Sequence, residues 1–95
     1  MISGVERVRR AVVEEPGELP AAVREALVAG KPAPPPFHAY VEKVRRHAYR
    51  VTDAEVAALV AETSEDEVYE ATVAAALGAG LARLEAGLAA IEAAR

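Results

Sequence analysis

Proton transfer in this chain falls first to its two histidines, because the sequence has no cysteine. The missing thiols remove disulfides, thiolate metal sites, cysteine nucleophiles and dithiol redox chemistry together. His38 and His47 stand nine residues apart. That is not the spacing at which two imidazoles on one helix hold a metal ion, and no metal site or other cofactor is expected. His38 adjoins a proline run and is expected in solvent. His47 sits among cations, with Lys43, Arg46 and Arg50 forming a positive stripe toward the end of a predicted helix. Such a stripe either receives a small acidic ligand or simply complements the negative end of the helix dipole, for a few tenths of a kcal/mol per charge.

The elements that must carry these residues are helical. Val5, Val8, Val12 and Val13 recur at helical spacing over residues 3–15, with Ser3 and Glu6 in a capping-box pattern and Pro16-Gly17 as the stop. A short second helix has Pro20 suited to its first turn, Val23, Ala26 and Leu27 on one face, and Gly30 at its C-terminal end. Lys31 to Pro36, K-P-A-P-P-P, lacks most backbone donors and favours an extended, polyproline-like path. It is either a stiff connector between helices or a ligand for an aromatic-lined groove. A third helix from about Phe37 to Tyr49 places Phe37, Tyr40, Val41, Val44, Ala48 and Val51 on one face. Thr52-Asp53-Ala54-Glu55 and Ser64-Glu65-Asp66-Glu67 are capping boxes that delimit a short fourth helix, with Val56, Leu59 and Val60 inward, and open a fifth.

That fifth helix, Ser64 to Arg95, has an acidic start, an uncharged middle from Ala71 to Ala82, and a seam of Leu77, Leu81, Leu84, Leu88 and Ile91 spaced as in a short coiled coil. The uncharged middle is too short to cross a bilayer and is expected to be a fully buried segment. Gly78 and Gly80 within it each cost on the order of 1 kcal/mol against Ala, which points to close approach by another helix, with Gly80 a position where a leucine would block it. About 28 residues of helix span roughly 42 Å, whereas a compact domain of this length has a radius of gyration near 12 Å and a diameter of about 32 Å. The helix is therefore expected to overshoot its domain, and a second copy of the chain is expected to cover it.

Composition agrees with one small all-α domain of about five helices. The chain has 95 residues, a formal charge of -4, 53% apolar residues and few aromatics, so the core must come from Val, Leu and Ala. Residues 1–30 would supply two N-terminal helices, 31–36 the connector and 37–95 the helical core. Net acidity argues against a nucleic-acid surface. The charged N-terminus does not suit a signal peptide and no uncharged run has the length of a membrane span, so a cytoplasmic protein is expected.

From about His38 onward the chain resembles the carboxymuconolactone decarboxylase and alkyl hydroperoxidase D superfamily, in the words H-A-Y-R-V-T-D-A-E-V-A-A-L (residues 47–59) and S-E-D-E-V-Y-E-A-T-V-A-A-A-L-G-A-G-L-A-R-L-E-A-G-L (residues 64–88). The resemblance covers a little over half the chain. It implies an all-helical bundle that assembles into trimers, hexamers or other symmetric oligomers. Peroxidase members use a Cys-x-x-Cys pair followed by a His, with an upstream relay Glu. Aligning that His with His47 puts the cysteine positions on Tyr40 and Lys43 and the relay Glu on Val28; aligning it with His38 puts the cysteines on Lys31 and Pro34. Thiol peroxidase chemistry is thus excluded. Decarboxylase members imply instead an acid to protonate a carbanion or enolate and a cation to bind the acidic substrate. The candidates are His47, Tyr49 and Glu70 for catalysis and Arg46 and Arg50 for binding. Each also has a structural role open to it: His47 as a favourable charge at a helix C-terminus, Tyr49 as a core residue with a bonded hydroxyl. Two functions follow as expectations, a structural or small-ligand-binding oligomer without redox activity, or a cofactor-free lyase or isomerase with His47 as general acid or base. A helix-turn-helix nucleic-acid binder over residues 52–73 conflicts with the acidic helix start.

Overall fold

The computed structural model describes residues 4–95, and every regular element among them is helical. The order is α1 (Gly4–Glu14), α2 (Ala21–Val28), α3 (His38–His47), a 3-10 turn (Ala48–Arg50), α4 (Asp53–Glu62) and α5 (Glu65–Ala94). The expected Ser3 cap lies outside the described residues. Both later caps form: the Thr52 hydroxyl accepts from Glu55 N at 3.2 Å, and the Ser64 hydroxyl accepts from Glu67 N at 3.1 Å. Ser64 also donates to the Glu67 carboxylate at 3.2 Å, so the side chains of the second box meet each other.

Gly30 ends α2 as the spacing predicts. Its φ of 81° is a left-handed conformation that only glycine adopts freely, and it lets Gly30 N donate to Leu27 O and Lys31 N to Ala26 O, the paired bonds of a Schellman motif. The proline segment then runs without helix, yet Ala33 and Phe37 are buried. The connector therefore belongs to the core rather than spanning a gap beside it.

The core comprises Leu19, Leu27, Val28, Ala33, Phe37, Val41, Leu59, Val68, Ala71, Ala74 and Ala75, with α5 at its centre and α2 and α3 packed most extensively against it. The buried face of α2 is Arg24, Leu27 and Val28; Val23 and Ala26 are only half-buried, so the stripe is rotated one residue from expectation. The third helix stops two residues earlier than predicted. His47 leaves helical geometry at φ -145° and ψ 54°, which breaks the 3.6-residue period. Tyr49 is turned away as a result and is 82% exposed, not a core residue.

Close approach to α5 occurs at Gly78. A Cβ there would lie 2.5 Å from Val28 O and 2.9 Å from Leu27 O, so the end of α2 rests on bare backbone. At Gly80 a Cβ would meet nothing within 4 Å, and the close contact expected there is not made within the chain. The 71–82 segment is not fully buried either. Ala71, Ala74, Ala75 and Gly78 are enclosed, whereas Ala76, Gly80 and Ala82 are exposed, because the other helices approach from one side.

The overshoot is present. α5 has 30 residues, about 45 Å of helix at 1.5 Å per residue. The molecule measures 50 × 30 × 18 Å with a radius of gyration of 14.5 Å, larger than a compact chain of this length would give. From Ala82 to the C-terminus every residue is exposed. Counter to the expectation from uncharged runs, α5 is long and apolar enough to cross a membrane by length and composition, with 17% of its most apolar stretch buried.

The contact at Gly78 is testable by Gly78→Ala. Gain in helix propensity is about 1 kcal/mol, but the new methyl is driven into the α2 carbonyls and overpacking costs about 1–3 kcal/mol. Because the atoms met are backbone carbonyls, the cost lies at the upper end of that range, and a net loss of about 2 kcal/mol, a fall in Tm of at least about 8 °C, is expected in thermal circular dichroism.

Candidate functional site

The basic end of α3 brings together some of the predicted residues. His47 is exposed, and its ring meets that of Tyr49 edge-on at 5.9 Å between centroids and 85° between planes. Arg46 pairs with Glu42 at 3.2 Å, one turn back on the same helix, and Lys43 pairs with Glu55 of α4. Among the described residues Arg50 makes no ion pair. Much of the positive stripe is thus already matched by carboxylates.

Lys43 and Glu55 line a groove between α3 and α4, whereas His47, Tyr49, Arg46 and Arg50 line none of the four main grooves. The groove beside them, about 370 Å³, is lined by Tyr40, Val44, Ala48 and Val51 with Thr72, Ala76, Ala79 and Arg83. The apolar face predicted for α3 therefore walls an open groove along α5. Thr72 donates to Val68 O at 2.7 Å, so the single proton left for the 2.6 Å contact between Thr72 Oγ1 and Tyr40 is the phenolic one. Tyr40, not Tyr49, is the tyrosine with a held hydroxyl. Chemically, His47 is an imidazole in open solvent with an aromatic edge beside it and no concave surface in which a carboxylate could be held.

Glu70 is placed elsewhere, inside a polar clasp. Its carboxylate accepts from Glu18 N at 2.8 Å and Leu19 N at 3.0 Å, and Oε1 lies 3.9 Å from Nε of Arg24. Arg24 is buried, and its Nη1 donates to Val12 O at 3.0 Å and to Glu15 O. The Nε itself has no hydrogen-bond partner, since 3.9 Å is too long for one. One side-chain pair thus ties the end of α1, the 16–20 loop, α2 and α5 together. Gly17 belongs to the same arrangement, because a Cβ there would collide with the Glu70 carboxylate.

Arg45 performs a similar task at the other end of α2. Its Nη2 donates to Leu27 O at 3.1 Å and Lys31 O at 2.7 Å, and its own carbonyl accepts from Arg83 of α5 at 3.0 Å. Neither arginine was singled out by sequence. The signal was present, since Arg24 stands three and four residues before Leu27 and Val28, and Arg45 four after Val41, so both are charges at core positions of a helical stripe.

Glu70 and Arg24 also floor a groove of about 450 Å³ between α1 and α5, walled by Val8, Ala11, Val12, Pro16, Tyr69 and Val73. Its size and apolar lining suit a small ligand or a protein side. No group of three or more His, Asp or Glu among the described residues is arranged to hold a metal ion.

Removing Glu70 separates architecture from chemistry. Glu70→Ala strands two backbone donors and a buried guanidinium, and is expected to cost about 2–4 kcal/mol in urea unfolding. His47→Ala and Tyr49→Phe, at exposed positions, are expected to stay within about 0.5 kcal/mol in the same assay.

Compared with protein-family models, with curated proteins and with solved structures, the chain matches none.

Proposed function

We propose that this protein is a soluble, cytoplasmic homo-oligomer without thiol redox activity, assembled through α5 and serving a structural or small-ligand-binding role. The observation that carries the proposal is the free distal half of α5, where Leu84, Leu88 and Ile91 are 48%, 54% and 55% exposed in a row along one side. An apolar row of this kind on a small acidic domain marks an interaction surface. The same helix packs against α1, α2, α3 and α4 through its first half and carries Arg83, Glu85 and Glu92 beyond it, which favours a protein partner over a bilayer. We place the chain beside the cysteine-free relatives of the carboxymuconolactone decarboxylase and alkyl hydroperoxidase D superfamily, on the sequence words from His47 to Leu88 and the all-helical architecture. The lyase or isomerase function gains no support from the geometry, because His47, Arg46 and Arg50 share no concave surface and Glu70 is committed to the clasp with Arg24.

Covering three half-exposed side chains is worth on the order of 1 kcal/mol each, about 3 kcal/mol per protomer. Association costs roughly 4–15 kcal/mol, so these three alone give a weak pair. Light scattering and sedimentation of the native chain at micromolar concentration are expected to give a multiple of the 10.0 kDa chain mass. The double substitution Leu84→Glu/Leu88→Glu is expected to return the mass to that of one chain while the helical circular dichroism persists. A native chain that is monomeric under these conditions refutes the proposal.

A further inference from the structure

Resting on an oligomer built through α5, the geometry points to its form: we propose an antiparallel two-fold dimer in which a second copy lies along one face of α5, Tyr69 to Ile91, with Gly80 at the crossing. Tyr69, Val73, Leu77, Gly80, Leu84, Leu88 and Ile91 follow one another by steps of three and four. At about 100° per residue they fall within one arc of roughly 100° along the whole helix. Among the described residues, apart from Tyr49, the large apolar side chains left exposed are Val5, Val8, Tyr69, Leu84, Leu88 and Ile91. They occupy the two ends of this one surface. At the C-terminal end stand Leu84, Leu88 and Ile91 with no neighbouring element; at the other, Tyr69 and Val73 form a groove with Val8 and Val12 of α1, and Val5 sits one turn before Val8.

The face is nearly symmetric about Gly80. Leu77, Val73 and Tyr69 lie three, seven and eleven residues before it, and Leu84, Leu88 and Ile91 four, eight and eleven after it. A partner running antiparallel with Gly80 at the axis therefore brings Leu84 level with the partner's Leu77, Leu88 with the partner's Val73 and Ile91 with the partner's Tyr69. Each copy's free end then fills the other's α1–α5 groove. Gly80 suits the axis, since a Cβ at that position meets nothing within the chain and the surface there is bare backbone.

Charge selects the direction. The first turn of α5 carries Glu65, Asp66 and Glu67. Antiparallel alignment opposes the two helix dipoles and keeps the two acidic turns at opposite ends of the contact, whereas parallel alignment sets them side by side. Size argues for a contact along the whole face. Pairing only the overhangs gives a contact about 20 Å long and one helix diameter, about 10 Å, wide, or roughly 200 Å² of footprint. Stable dimers bury about 800 Å² per partner. Extending the contact to Tyr69 lengthens it to about 34 Å and adds the α1 wall.

The absence of native cysteine makes disulfide trapping a clean test. Under mild oxidation Gly80→Cys is expected to form a covalent dimer, and Tyr69→Cys/Ile91→Cys is expected to do so while each of its single substitutions does not. The second pair lies away from the crossing and reports the alignment even where a side chain at position 80 prevents close approach. An oligomer in which Ile91→Cys alone cross-links overturns the antiparallel dimer and leaves the proposed oligomer standing. A native chain monomeric by light scattering overturns both, as does a monomer that partitions onto phosphatidylcholine vesicles through this face. Unimpeded binding of a hydrophobic dye in the α1–α5 groove of the intact oligomer overturns the groove-filling arrangement alone.

Discussion

The contact between Glu70 and Arg24 fixes the relative positions of four segments that share little other polar chemistry. A buried guanidinium requires acceptors, and Arg24 finds them at the end of α1, on Val12 O in its last turn and on Glu15 O just beyond it. Those carbonyls would otherwise be left open at a helix end. Glu70 balances the charge and accepts the two amides that precede α2, Glu18 N and Leu19 N. Apolar packing is non-directional and would let α1 slide over α2 and α5 at small cost. The carboxylate and guanidinium give α1 one register. The groove between α1 and α5 depends on that register, because its floor is this same pair.

Much of the fold was legible because it is written in short-range chemistry. The two Ser/Thr-x-x-Glu boxes place the starts of α4 and α5 to the residue, and Gly30 marks the end of α2 through its φ. These signals concern one turn of chain and need no knowledge of neighbours. Where the outcome depended on which side a neighbour approaches, sequence alone was less informative. Gly78 and Gly80 look alike in a string of small residues, yet only Gly78 faces the α2 carbonyls. Tyr49 continues the α3 stripe on paper, but the break at His47 turns it out.

The candidate site was less legible than the fold. His47 attracted notice because imidazole and guanidinium groups cluster near it in sequence, and clustering along a helix end says nothing about concavity. The charged residues that matter most to the architecture, Arg24 and Arg45, sit inside apolar stripes, where a charge is costly unless it is fully bonded. Their partners are mostly backbone carbonyls contributed by distant segments. Backbone acceptors carry no residue type, so no sequence motif could have announced them.

The overhang of α5 keeps its helical form although every residue beyond Leu81 is exposed and the last tertiary hydrogen bond is that of Arg83 to Arg45 O. Starting a helix is the unfavourable step, whereas extending one by residues such as Ala82, Ala86, Ala89, Ala90 and Ala93 is close to neutral or favourable in water. The docked half, locked by Ala71, Ala74, Ala75 and Gly78, acts as a permanent nucleus for the free half. The outer half then opens independently of the docked one, and its backbone amides exchange with solvent on a schedule independent of global unfolding. One continuous helix thus contains two cooperative units, and the protection of the outer one is a direct gauge of whether anything lies against it.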